Sequence, residues 1–216
     1  MNASKTYLLI LFLFTTGIGL QACTDSPNSV LNKSGTPLDS WINELDTIEL
    51  ETLSDSELEG LLFMVEEEKL ARDVYIYFDS MYQQKVFNNI IESERNHVAA
   101  MRYLLDRYNI ADPTVDNLEG EFENEELQTL YNQLTEQGSV SVTEALKTGA
   151  LIEETDLVDI TEEIEKTDND DITFVYQNLK NGSINHLKAF VRNLSKYGIT
   201  YQPQVLEENE YNQYLN

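Results

Sequence analysis

One cysteine stands in 216 residues, at position 23. No disulfide can form within such a chain, and no cluster of thiolates can hold zinc or iron. Basic residues are scarce: 14 Lys and Arg stand against 39 Asp and Glu, a formal net charge of -25. Repulsion between that surface and phosphate groups excludes nucleic-acid binding, and attachment to anionic lipid by charge is equally disfavoured. Cations are the partners that so acidic a surface favours. Histidine is rarer still, with His97 and His186 as its two instances. Hydrophobic content of 41% and charged content of 25% are ordinary for a globular protein, and the length suits one domain with additions.

The N-terminus is set apart from the rest. "MNASKTYLLILFLFTTGIGLQAC" has a weakly positive start at Lys5, an apolar stretch from Tyr7 to Phe14 and small residues before its close, which reads as a secretory signal. Leu20-Gln21-Ala22-Cys23 resembles the bacterial lipobox, in which the cysteine is acylated and becomes the new N-terminus. The expectation is a signal peptide over 1–22, a lipidated Cys23 with a flexible linker over 23–50, a folded domain over 51–200 and a tail over 201–216. The alternatives are a plain signal peptide with an incidental cysteine and an uncleaved anchor. Acyl chains would tie the protein to the membrane of a bacterial cell envelope. Thr24, in place of Asp after the cysteine, points by resemblance to sorted lipoproteins towards the outer membrane. No thiol would then remain free as a ligand or nucleophile.

Helical periodicity dominates from Ser54 on. Ser54 and Glu57 form a capping box, and Leu61, Val65, Glu68, Arg72 and Tyr75 share one stripe of a helix reaching about Tyr82. A second helix runs from about Val86 to Tyr108. A third opens at the capping box of Ser141 and Glu144 and continues to Ile164. A fourth carries Val175, Leu179, Ser183, His186 and Phe190 inward and stops near Gly198, with a bend or bulge expected at Gly182-Ser183. Short connections join the first helix to the second and the third to the fourth. Between the second and third lies a long crossover with a short helix over Glu125 to Leu134. The expected fold is all-α, a ferritin-like antiparallel four-helix bundle with that crossover between helices two and three. "WINELDTIELETL" reads as a short packing helix or an ordered lead-in.

Polar groups on buried stripes are costly unless matched. Each of the four helices carries one at comparable depth: Glu68, then Glu94 with His97, then Glu153, then His186. Ferritin-like di-metal proteins combine a Glu from each of two helices with a Glu-x-x-His from each of the other two. Glu94-x-x-His97 is such a pair, whereas Ser183 stands where the second would have its glutamate. Glu154 or Asp156 could compensate; one ion, or an unequal pair with water in the gap, are the other outcomes. Glu153 is preferred to Glu154 as ligand on helical phase. Arg72 could orient a ligand carboxylate from behind or replace the metal as cation. Tyr75, Tyr103 and Tyr108 could bond a ligand or relay electrons, though most tyrosines in a helical chain are packing groups. Glu66 and Glu67 read as solvated charges, and the acidic crossover "EGEFENEEL" as a solvated face or a guide for cations.

"EKLARDVY" resembles the Glu-x-x-Ala-Arg-x-x-Tyr of a rubrerythrin-type first helix, matching at Glu68, Ala71, Arg72 and Tyr75, and "ERNH" resembles its second-helix Glu-Arg-x-His. The run from about Ser54 to Ile199, with "GALIEETDLVDI" and "NGSINHLKAF", is similar to an uncharacterised ferritin-like family of bacterial and archaeal proteins, a domain of unknown function. The resemblance implies Fe or Mn, one ion or two, held by Glu68, Glu94, His97, Glu153 and His186, with redox chemistry on O₂ or peroxide if the centre turns over. Electrons would come from outside, since the chain has no rubredoxin-like cysteine site. A vestigial, metal-free set inside an envelope binding or structural module is the alternative. Oligomeric state is open, a homodimer being one option.

Overall fold

The computed structural model describes residues 37–216, so the segment read as a signal peptide, Cys23 and part of the expected linker lie outside the described residues. Seven helices and no strand occur among the described residues: α1 (Pro37–Leu45), α2 (Asp55–Tyr82), α3 (Lys85–Arg107), α4 (Glu125–Gly138), α5 (Val142–Lys166), α6 (Asp170–Lys196) and α7 (Glu208–Leu215). None of them is long and apolar enough to cross a membrane.

The helix starts follow from capping chemistry. At α2 the Ser54 hydroxyl accepts from the Glu57 amide while Glu57 Oε2 accepts from the Ser54 amide at 2.8 Å. Asn124 caps α4 and Ser141 caps α5, each with its side-chain oxygen on an amide of the first turn. Two residues separate α2 from α3, Gln83 being left-handed at φ 49°, and three separate α5 from α6, so each pair packs antiparallel.

The two pairs then pack on each other. Tyr82 at the end of α2 donates to the carbonyl of Gly138 just before α5, and Thr167 just after α5 donates to Glu57 at the start of α2. Arg107 at the end of α3 meets Asp171 at the start of α6, while Phe87 and Phe190 pack at a tilt at the other ends. Hence α2 runs against α5 and α3 against α6, closing four long helices into a bundle. α4 lies across α2 and α5, α1 on α3 and α6, and α7 on α6.

Where the expectation placed a bend, α6 runs through Gly182 and Ser183 without interruption. Residues 201–216 return to the bundle and bury Tyr201, Leu206 and Tyr211. Two apolar clusters fill the bundle, one around Tyr75, Phe78, Phe87 and Phe190, the other around Leu61, Met64, Met101, Leu104 and Leu179. Along α2, α3 and α6 the chain passes from one cluster to the other through Glu67 and Glu68, Glu94 and His97, and Ser183 and His186. A polar layer therefore sits at mid-height, away from both ends of the bundle.

Candidate metal centre

Glu94 is the centre of that layer. Its Oε2 lies 2.9 Å from Nδ1 of His97, one turn along α3, and its Oε1 lies 2.8 Å from Nδ1 of His186 on α6. The His97 nitrogen is also 3.1 Å from Glu68 Oε2 on α2, and that of His186 is 3.4 Å from Glu153 Oε2 on α5. Two groups result, Glu68 with Glu94 and His97, and Glu94 with Glu153 and His186, each buried and each with its ligand atoms within 4.8 Å of one another. They share Glu94, one oxygen to each. All five residues read from the sequence as metal ligands meet here, and the two imidazole rings stack at 5.4 Å.

Electrostatics in the layer are strained by burial. Desolvation pushes Glu68 up to about 7, with His97 opposing. It also raises Glu153 against the pull of His186. Burial would raise Glu94 too, but the two imidazoles facing it hold it well below the ordinary carboxylate range. Burial would lower both histidines; instead Glu68 and Glu94 carry His97 well up, and Glu94 and Glu153 carry His186 up to about 10. Without a cation the layer balances only by holding protons.

The surrounding groups fall into two kinds. Tyr75 donates to Glu153 Oε1 at 2.5 Å, fixing that carboxylate from behind. Ser183 donates to Asp156, which points into the layer, where burial followed by Glu68 and Glu153 raises it well above its ordinary value. The serine that replaces the expected glutamate on α6 thus brings in a carboxylate from α5. Glu154 is turned the other way: it accepts from Tyr201 at 2.5 Å and from the amides of Gln204, Val205 and Leu206, pinning the C-terminal segment. Arg72 is likewise not behind Glu68. It binds Asp73 at 2.7 Å, together with Lys69 at 2.6 Å, beside the crossover. Lys69 also donates to the carbonyls of Leu118 and Glu121, so this buried cation fastens the loop. Tyr103 and Tyr108 donate to Asp46 and Asp171 at the far end of the bundle.

The reading of Glu66 and Glu67 as solvated charges is overturned, since both are buried. Glu66 accepts from the amides of Glu123 and Asn124 and holds the crossover. Glu67 lies by Asp159 and Asp156 and is raised well above its ordinary value by burial, then by those two acids. Helical phase places Glu66 and Glu67 outside the stripe because it assumes one wet face; instead the crossover covers Glu66 and α5 brings Asp159 and Asp156 to Glu67.

The donor set fits a hard or borderline divalent cation. Carboxylates and imidazoles suit iron and manganese, whose charge would offset the mutual repulsion of the acids. Glu68 Oε1 is buried with no hydrogen-bond partner. Nδ1 of His186, though close to two carboxylates, makes no aligned hydrogen bond to either. Atoms left in that condition are those a cation between them would satisfy.

Fold and layer together define an all-α protein with buried Glu/His groups that could bind a metal ion. The model of an uncharacterized protein domain, DUF2202, matches residues 57–216, and the chain belongs to that family. Uncharacterized protein MJ0754 of Methanocaldococcus jannaschii is 45% identical over 172 residues, 80% of this chain and 93% of the relative. The crystal structure of hypothetical protein MJ0754 from Methanococcus jannaschii DSM 2661 superposes with a TM-score of 0.77 at 46% identity, covering 78% of this chain and 97% of that one.

Proposed function

We propose that this is a ferritin-like protein whose bundle core binds iron or manganese at two adjacent positions sharing Glu94, and that Cys23 tethers it by acyl chains to the bacterial envelope, at the outer membrane. The observation that carries the metal reading is the division of one carboxylate between two Glu/His groups, with Glu68 Oε1 left unpartnered beside it. Antiparallel pairs joined by one long crossover support the ferritin-like relation. Glu68 and His97 would hold one ion, Glu153 and His186 the other, and Asp156, which both Glu68 and Glu153 influence, could complete either one. A bound iron or manganese would supply one-electron chemistry towards O₂ or peroxide; Tyr75 would hold Glu153 in place, and the apolar clusters above and below would keep bulk water out.

The test is elemental analysis of natively purified protein, followed by reconstitution with Fe(II) or Mn(II). Metal should be present in the parent protein and absent from Glu94→Ala with His97→Ala. No metal after reconstitution overturns the proposal.

A second reading is a metal-free envelope module in which the layer only specifies packing. Its support is that Tyr75 and Ser183 satisfy two of the acids from within the protein. Under it no metal changes the melting temperature. A cation bound at 100 times its Kd would instead contribute about 2.7 kcal/mol, roughly 5–10 °C for a domain of this size.

A further inference from the structure

Beside the polar layer the surface opens into a cleft of about 220 Å³ between α1, α3 and α6, lined by Trp41, Asn96, His97, Asn178, Gly182 and Asn185. A larger cavity, of about 340 Å³, lies between α6 and α7 and touches none of the five candidate ligands. His97 forms the floor of the smaller one. Its Nδ1 edge faces Glu68 and Glu94, while its Cε1–Nε2 edge faces Gly182, where an added Cβ would lie 2.5 Å from both atoms. Trp41 of α1 lies over the same ring, the two centroids 6.2 Å apart and the planes inclined by 24°. One imidazole separates the cleft from the carboxylates.

The lining has a definite chemistry. Asn96 donates its Nδ2 to the Glu92 carbonyl at 3.0 Å, Asn178 to that of Phe174 at 2.7 Å and Asn185 to that of Asn181 at 2.9 Å. Each amide nitrogen spends one of its two N–H groups on its own helix, and Oδ1 of each side chain is left as an acceptor for a guest. No lysine, arginine or carboxylate lines the space. Neutral acceptors inside a strongly acidic protein suit a hydrated cation: water molecules of its shell donate to the amide oxygens, and the field of the protein draws the charge in. The absence of carboxylates lets such an ion be held without being trapped before it reaches the layer.

We propose that this cleft is the port through which a hydrated divalent cation reaches the Glu/His centre, with Trp41 as its cover and the His97 ligand at its inner end. The proposal rests on the metal reading above and adds the route. A route has a kinetic signature that a ligand lacks: it changes uptake and release by one factor and leaves the equilibrium affinity alone.

The experiment uses the full chain with Co(II) alone as probe, following its absorption on mixing and its removal by a chelator. Trp41→Ala should speed both uptake and release, and Asn181→Lys, an exposed change at the rim, should slow both, each by about three- to ten-fold. Gln133→Lys, exposed on α4 across the bundle, should change neither. If the parent protein takes up no Co(II), the metal reading itself fails. If it binds Co(II) but Trp41→Ala and Asn181→Lys load and unload at the parent's rates, the port is overturned while the centre stands. A change in affinity for Trp41→Ala through release alone would make Trp41 a positioning residue for His97 and would equally overturn the port. Asn181→Lys decides the matter if Trp41→Ala does not fold.

Discussion

Nδ1 of His186 lies 2.8 Å from Oε1 of Glu94, and the other oxygen of the same carboxylate lies 2.9 Å from Nδ1 of His97. One side chain on α3 therefore belongs to both buried groups, whereas Glu68 and Glu153 each belong to one. Burial alone would expel so much charge from the middle of a bundle. That the layer sits at mid-height, sealed by apolar clusters on both sides, gives it the enclosed setting that a redox or binding centre requires.

Unequal sharing predicts unequal losses. Glu94→Ala should abolish binding at both positions, while Glu68→Ala and Glu153→Ala should each leave one ion bound. The ratio of metal to protein after saturation with Co(II) and desalting measures this. Equal losses for all three variants would contradict a shared carboxylate.

The metal-free chain should lose stability as pH rises. Glu68 titrates near 7 in the folded state against an ordinary 4.5, so the folded state binds more protons between those values. Its stabilising contribution is complete below about 4.5 and is lost as pH climbs through about 7. The raised values of Glu153, Asp156 and His186 act in the same direction. Glu68→Gln cannot ionise, so near pH 8 the metal-free variant should be more stable than its parent by on the order of 2 kcal/mol, with the two converging near pH 5. Urea unfolding at both pH values provides the comparison, and a gap that widens towards acid would refute it.

How far the sequence carried this reading depends on the kind of signal. The starts of α2 and α5 were legible because capping is local: Ser54 and Ser141 each act within three residues of themselves. Glu68, Glu94, His97, Glu153 and His186 were legible because helical phase places them on stripes that otherwise hold Leu, Val and Phe. What lies across the chain was not legible. Nothing near Glu66 in sequence says that the amides of Glu123 and Asn124 will close on it, and nothing near Glu154 announces the loop at 204–206. Gly182 reads as a helix breaker from its own propensity; its reason is a histidine on another helix, 85 positions earlier.

Glu153 and Glu154 are adjacent and equally buried, yet they should fail differently. Glu154 accepts from one phenol and three backbone amides, so Glu154→Ala strands several buried donors and should cost about 3 kcal/mol of stability. Its metal stoichiometry should equal that of the parent. Glu153→Ala should instead lose an ion while unfolding at a similar urea concentration in the metal-free state. Chemical unfolding and elemental analysis of the two variants side by side make the distinction, and a swap of the two phenotypes would reassign the ligand.

Gly182→Ala tests whether the close approach of α6 to His97 matters to the centre. Alanine would add about 1 kcal/mol of helix propensity at this site, but its Cβ would lie 2.5 Å from Cε1 and Nε2 of His97. A ring held between Trp41 and α6 has little room to yield, and overpacking of this kind costs about 1–3 kcal/mol. The displacement moves Nδ1 away from Glu68 and Glu94, so affinity at that group should fall by about ten-fold or more, as when the support of a ligand is disturbed. Binding at the group formed with Glu153 and His186 should change less, because its imidazole does not touch Gly182. Titration with Co(II), read as two phases, measures both. If the first phase keeps its affinity while the variant folds normally, then the ring tolerates the added carbon and Gly182 is dispensable to the centre.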